Sequence, residues 1–324
     1  MKRWRDILKN QSGVALIAVI LVVGILLAAA LEFNRSTRAD VYFAANASDG
    51  LKLSCIAKSG FYGAAALLAD SQSAYETLRD DWADAEALSA RSQTLFADGR
   101  FVVRIEDEKG KIPLNKLVSG GAVNEAVKGM LLRLLLLPEF DLDEYRATQI
   151  VDALIDWIDE NSEVTGMGAE TSYYASLPAP YAAKNAPLDC IEEMLMIRGI
   201  TNELFAGTGK KPALGRLVTV YGTGVVNINT APKMVLRALA PDITAEKADR
   251  MDEYRRNPIN NLSSADWYKR VPGMGGITIN PELIEVAKSN FFRIQATGVI
   301  DKMESSVVGV IQRSPLQIMS WRQD

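Results

Sequence analysis

Eighteen consecutive uncharged residues, Val14 to Leu31, follow a short cationic segment that ends in Gly13. At about 1.5 Å per helical residue they reach roughly 27 Å, close to the hydrocarbon thickness of a bilayer. The segment before them holds Lys2, Arg3, Arg5 and Lys9 against Asp6 alone. That bias keeps the N-terminus in the cytoplasm and sends the rest of the chain across. Three fates fit such a run. It can be a secretory signal cut near the small residues Ala28-Ala29-Ala30. It can be an uncut signal anchor. It can also be a retained helix that packs beside others of its kind.

The text after the run favours retention. Residues 32–71 contain no proline and are rich in alanine. Phe33, Val41, Ala44, Ala45 and Leu51 form an interrupted apolar stripe, with Arg35, Arg38 and Asp40 elsewhere on the helix. A discarded signal does not need a helical continuation of this length.

Composition removes several kinds of chemistry. The chain has 324 residues and a net charge of −4, so one large or two modest domains are expected beyond the run, with no global electrostatic case for nucleic acid. There is no histidine, which excludes His-dependent triads, His general bases and His-ligated zinc. Cys55 and Cys190 are the only cysteines, too few for a cysteine zinc site. An exported location permits a disulfide between them, and two unpaired buried thiols fit equally well. A Leu/Met stripe in "EEMLMIRGI" and the five tryptophans read as core before they read as partner surfaces.

Strand signals flank a helical middle. Phe101, Val103 and Ile105 alternate with Val102, Arg104 and Glu106; Glu108-Lys109-Gly110 then supplies a turn, and Ile112 to Leu114 can return as a hairpin. "AVNEAVKGMLLRLLLL" and "DEYRATQIVDALIDWIDE" predict helices. "LDCIEEMLMIRG" predicts another, with Asp189 as N-cap and Gly199 as stop. "TAPKMVLRALA", with Thr230 and Pro232 at its start, and "TAEKADRMDEYRRN" follow. "FFRIQATGVI", "ESSVVGVIQRS" and "LQIMSWRQD" return to strand. The early and late strands together predict one antiparallel sheet with the helical region inserted between them.

The cationic leader ending in Gly13 directly before the apolar run resembles the class III signal of type IV pilins and pseudopilins. That likeness implies cleavage by a prepilin peptidase after Gly13, with Val14 as the first mature residue. Adding the motifs "DEKGKIPLN", "LIDWIDENSEVTGMGAETSYY", "KNAPLDCIEEMLMIRGIT" and "VNINTAPKMVLRAL", the chain resembles the minor pseudopilin K family of type II secretion systems over most of its length. The fold implied is α+β: a pilin-like long N-terminal helix and small antiparallel sheet, with a large inserted all-helical domain of SAM-like or helix-hairpin-helix-like character. The corresponding divisions are a leader at 1–13, a transmembrane segment at 14–31, helix continuation and first sheet segment at 32–121, the insertion at 122–287 and closing strands at 288–324. The resemblance further implies a single-pass inner-membrane protein with its C-terminal domain in the periplasm. It implies no catalytic cycle. Its partners would be minor pseudopilins I and J, other pseudopilins and the peptidase, and its place the pseudopilus tip. Ala18, the fifth mature residue, stands where most pilins carry glutamate; its absence is typical of the K family and suits a subunit with none above it.

The best chemical site is the acidic loop "DENSEVTGMGAE", Asp159 to Glu170. Asp159, Asn161 and Glu163 at loop positions 1, 3 and 5, the Thr165 carbonyl at 7 and Glu170 at 12 approach a calcium-loop spacing. Val164 occupies the position where a glycine normally turns the loop, and glycines come later, at Gly166 and Gly168. Asp156 on the preceding helix is a further candidate ligand. An exposed acidic loop without metal, or a catalytic carboxylate pair, are the other readings. The K family binds calcium in its helical domain, so the resemblance implies a structural calcium ion here.

A second motif points elsewhere. The text from Val226 to Gly276 looks like tandem helix-hairpin-helix modules, as in membrane-anchored DNA receptors of competence systems. Only the second turn, Pro272-Gly273-Met274-Gly275, keeps the glycine spacing; Ala240-Pro241-Asp242-Ile243 has lost it. Acidic and basic residues balance six against six between Pro241 and Gly275, where DNA binding calls for a basic surplus. A packing scaffold is therefore expected, and no nucleic acid, with the anchored DNA receptor as the alternative function.

Overall fold

The computed structural model describes residues 12–323. Helix α1 runs from Ser12 to Asp70. Among the described residues it is the one helix long and apolar enough to cross a membrane. The chain divides into two units, with the boundary between Cys55 and Ile56. In the first unit, the side chains from Val14 to Leu31 are all exposed. The leader up to residue 11 lies outside the described residues.

The second unit contains a four-stranded antiparallel sheet. Its strands are β1 (Arg100–Asp107), β2 (Phe291–Ile300), β3 (Met303–Gln312) and β4 (Gln317–Gln323), in that spatial order. β1 pairs with β2 from Arg100↔Val299 to Asp107↔Phe292. β2 and β3 form a tight hairpin closed at Ile300↔Met303, and β4 pairs with β3 through a register shift between Ile318 and Ser320. β2 alternates half-buried and buried side chains along its whole length, as a strand packed on one face must. Its buried side chains Phe292, Ile294 and Ala296 join Val103, Ile105, Val307 and Ile311 against Ala57, Phe61, Ala64, Ala65 and Leu68 of α1. Small residues on the helix let it lie close to the sheet, and Phe61 and Leu68 fill the space between. Trp82, in a short turn of helix before α2 (Ala85–Arg91), meets Phe292 edge-on at 5.4 Å.

Everything between β1 and β2 forms a second core. Helices α3 (Glu125–Leu135), α4 (Glu144–Ile158), α5 (Lys233–Ala238) and α6 (Ala245–Arg256) bury Leu131, Leu134, Val151, Leu154, Leu236 and Met251 in it. Asn124 caps α3 by accepting from the N–H groups of Ala126 and Val127, and Thr244 caps α6 by accepting from Lys247. Short helical turns and three two-residue ladders fill the rest.

The predicted hairpin at 101–114 does not form. Residues 108–110 make a 3-10 turn that carries the chain out of the sheet, and Ile112–Pro113 pairs in parallel with Val218–Thr219 instead. β1 needs a partner whose apolar side chains share its buried face over eight residues, and Ile112–Leu114 is too short to supply one. The "CIEEMLM" segment is also a 3-10 helix, Ile191–Met196, with Cys190 rather than Asp189 at its N-cap. Asp189 is drawn off by Lys184 at 2.7 Å, and the Glu193 carboxylate accepts the Asp189 and Cys190 N–H groups. Cys190 is a half-buried free thiol.

Buried polar groups tie the two cores together where β1 ends. Asp107 accepts from the Thr230 hydroxyl at 2.7 Å, the Ser289 hydroxyl at 2.8 Å, the Lys109 N–H at 2.9 Å and the Asn227 amide at 3.3 Å. Glu108 pairs with Lys111 at 2.6 Å and accepts from Thr219. Glu76 pairs with Arg313 at 2.7 Å and accepts from the Trp82 indole at 2.8 Å. Buried charge is tolerated only when so surrounded.

The helix-hairpin-helix text folds as a packing unit. Trp267 stacks on Tyr254 with ring centroids 5.6 Å apart, and its indole N–H donates to Asn229 at 2.7 Å. In the glycine-bearing turn, the Pro272 carbonyl accepts from Arg250 at 3.3 Å, so that cation serves the turn itself.

Candidate metal centre

Helix α4 sets Asp152 and Asp156 one turn apart, and Asp159 follows within the next turn at the C-cap. This i, i+4, i+7 spacing brings three carboxylates to one side of the helix end. The loop then folds back over them. The Thr165 N–H donates to Asp156 Oδ1 at 2.8 Å and the Met167 N–H to Asp152 Oδ2 at 3.0 Å. Lys128 reaches Asp152 Oδ1 at 3.0 Å and balances that charge.

The displaced glycines now have a reason. Gly166 has φ +53°, and a Cβ on it would run into the Asp152 carboxylate. A Cβ on Gly168 would meet the Asp156 carboxylate and lie 2.8 Å from the Asp152 carbonyl oxygen. The loop thus requires glycine where it presses on the acidic helix end, rather than at position 6.

Among the described residues, four buried oxygens in this region have no hydrogen-bond partner: Asp156 Oδ2, Asp159 Oδ1, Glu170 Oε1 and Asn185 Oδ1. Such a group of orphaned acceptors is uncommon, because each costs free energy unless a donor, water or cation meets it. The electrostatics agree. Burial pushes the Asp156 carboxyl up, with Asp152 adding to the effect against hydrogen bonds from Thr165 and Ala169. Burial and the Asp156 charge raise Asp159. Burial raises Glu170, and the charges of Asp156 and Asp159 add to it. All four donors are hard oxygens, which suits calcium and not a thiolate- or imidazole-seeking metal.

The structure divides the predicted ligands. Asp156, Asp159 and Glu170 are buried and feel one another's charge. Asn161 and Glu163 are exposed, and Asn161 Oδ1 accepts from the Glu163 N–H at 2.7 Å. The Thr165 carbonyl accepts from Gly168 N–H at 2.8 Å, closing a turn. Among the described residues no three His, Cys, Asp or Glu side chains already stand in metal-site geometry. Loop spacing overlooked Asp152 and Asn185. The first was readable from the helical period of "DALIDWID"; the second, with φ +49°, comes from a distant loop and donates to the Asn161 carbonyl. Of the predicted processing residues, Gly13 and Val14 both lie in α1, with open space around Gly13.

A pilin-type architecture is defined by these features: a long helix with a membrane-length apolar stretch, whose later residues Ala57 to Leu68 pack on a small antiparallel sheet, here with a large helical insertion between its first two strands. Models of the family "Type II secretion system (T2SS), protein K" match residues 110–221 and 226–286, together more than half of the chain. The chain belongs to the type II secretion system protein K family. It is 24% identical over 217 residues to the type II secretion system protein K of Aeromonas hydrophila, covering 61% of this chain and 62% of that protein. It is 26% identical over 201 residues to the Klebsiella pneumoniae protein, covering 60% of each. The chain thus spans less than two thirds of the length of these relatives. Among solved structures, it resembles a chain of the GspK-GspI-GspJ complex of the enterotoxigenic Escherichia coli type 2 secretion system. That match has a TM-score of 0.60 and 19% identity, and covers 89% of this chain and 99% of that one. It is a likeness of fold.

Proposed function

We propose that this protein is a minor pseudopilin of a type II secretion apparatus. One observation carries the reading: α1 joins a membrane-length apolar segment to a pilin-type sheet, and the K-family segment is inserted between β1 and β2. Cleavage after Gly13 leaves Val14 to Leu31 as an inner-membrane anchor with the C-terminal domain in the periplasm. The mature protein assembles with minor pseudopilins I and J, the subunits named with the similar solved chain. Ala18 carries no acid to neutralise a neighbouring amine, and the insertion adds bulk that a repeating subunit does not need. Both features suit one copy at the pseudopilus tip, where it caps the filament and helps initiate it. The role is structural, without a catalytic cycle.

Calcium fits the donors at the end of α4. Asp156, Asp159, Glu170 and Asn185 would hold it. The ion would supply positive charge that lets buried carboxylates draw together and fastens the loop to the helix. Without a cation their mutual repulsion opposes that approach.

Copurification from cells tests the assembly. Tagged protein should retain subunits I and J, and label on isolated pseudopili should fall at one end. Label spaced evenly along the filament would sink the tip assignment. Salt-sensitive retention of DNA without pseudopilins would favour the anchored DNA receptor.

A further inference from the structure

A cleft of about 640 Å³ opens in the second unit, between β1 and the helical insertion. The net charge of the chain is −4, yet six cationic side chains line this cleft against three acidic ones. Three of the cations are spent internally. Arg255 is buried, and it donates to Asp252 and to the carbonyls of Ile228 and Asn229. Lys111 is buried between Glu106 at 3.0 Å and Glu108 at 2.6 Å. Lys233 bridges Asp249 at 2.7 Å.

Three exposed arginines remain, and they come from three separate parts of the chain. Arg104 on β1 touches Glu106 through Nε at 2.9 Å, and its side chain is 61% exposed. Arg256 at the end of α6 touches Asp252 through Nε at 2.8 Å, and its side chain is 56% exposed. Arg216 is exposed; its backbone N–H donates to the Ala213 carbonyl at 3.1 Å, and its guanidinium makes no hydrogen bond or ion pair among the described residues. Their acidic neighbours are already shared: Glu106 serves Lys111 as well as Arg104, and Asp252 serves Arg255 as well as Arg256. Asp107 spends its oxygens on neutral donors. The cleft therefore keeps a surplus of positive charge, carried by planar groups that grip carboxylates in pairs.

Leu78, Trp82, Pro212 and Pro232 line the same cleft. Its size exceeds that of a single small anion and suits a few residues of extended chain. We infer that this cleft is a docking site for an acidic peptide segment of a second protein. The segment's carboxylates are gripped by Arg104, Arg216 and Arg256, and its apolar side chains lie on the wall formed by Leu78, Trp82 and the two prolines. This inference does not depend on the position of the protein within a filament.

Fluorescence anisotropy on the full chain in nanodiscs tests it. The probe is a fluorescein-labelled peptide alternating aspartate with leucine, beside the same peptide with asparagine. The aspartate peptide should bind, more weakly as salt is raised, and the asparagine peptide should not. Replacing all three arginines by alanine should lower affinity by about tenfold or more, and Arg→Lys at the three sites should lose only part of it. Should the alanine variant melt early, Arg216→Glu gives the same direction of loss at a guanidinium without a hydrogen bond or ion pair among the described residues. Equal binding of both peptides overturns the inference, as does unchanged affinity in a well-folded alanine variant. Displacement of the peptide by inorganic phosphate, where sodium chloride of equal ionic strength has no such effect, overturns it in favour of a small-anion site.

Discussion

The Thr230 hydroxyl donates to the Asp107 carboxylate at 2.7 Å across 123 positions of sequence. This contact joins the last residue of β1 to the start of α5, so it couples the sheet to the insertion. Ser289, at the return from the insertion, donates to the same carboxylate oxygen at 2.8 Å. One acidic residue therefore gathers the outgoing and the returning chain.

Burial raises the Asp107 carboxyl to about 6, although Thr230, Ser289 and Lys109 donate to it; the Glu76 charge adds to the rise. The folded value lies above the ordinary 3.8, so the folded state holds the proton more tightly. The associated stabilisation is fully present below about pH 4, is lost as pH rises through about 6, and amounts to about 3 kcal/mol. Asp107→Asn does not titrate. Its melting temperature relative to the parent should rise between pH 4 and pH 7. Parallel melting curves across that range would show that Asp107 does not carry the effect.

Calcium should stabilise the protein, by about 2.7 kcal/mol at a hundredfold excess over Kd, with chelation reversing the gain. Asp156→Asn or Glu170→Ala should abolish the response, whereas Asn161→Ala and Glu163→Ala should leave most of it. Because Asp156, Asp159 and Glu170 are raised, protons should compete from higher pH than for ordinary carboxylates, and calcium affinity should fall on acidification. Calorimetry that finds no calcium heat in the parent protein would reduce this cluster to an internally strained acidic turn.

Gly168→Ala should destabilise by about 1–3 kcal/mol, because the added methyl meets a carboxylate and a backbone carbonyl at the end of α4. Gly209→Ala, where a Cβ meets open space, is the control. Denaturant midpoints read the difference. Equal midpoints would mean that the loop yields without cost.

Intact-mass analysis of protein from cells should show a chain that begins at Val14. Gly13→Leu should block processing, since a branched side chain would then stand at the scissile bond. A mature chain beginning at Leu31 would instead identify an ordinary secretory signal and remove the retained spine.

Local features were legible in the residues themselves. The charge-free stretch up to Leu31, the period of α4 and the alternation in "FFRIQATGVI" each depend on neighbours within a few positions, so helix and strand periods display them directly. The grouping of the early strand with the late ones was also visible, through one early and three late segments of strand pattern around a helical middle. The partner of β1 was not. Its alternation shows that one face is buried but does not say what pairs with its edge, and the nearby Ile112 offered a shorter loop than Phe292. Burial of Val103 and Ile105 beside Phe292 and Ile294 decided the pairing, because only the longer strand covers that face. In the acidic region, the sequence determined that carboxylates would be dense, and loop spacing named Asp159, Asn161, Glu163, Thr165 and Glu170, with Asp156 from the preceding helix. Tertiary structure buried Asp156, Asp159 and Glu170, left Asn161 and Glu163 exposed, and brought an unpartnered Asn185 oxygen from a distant loop. The physical reason is desolvation: an oxygen becomes a demanding ligand only when the fold takes it out of water without giving it a donor, and that depends on what packs above it.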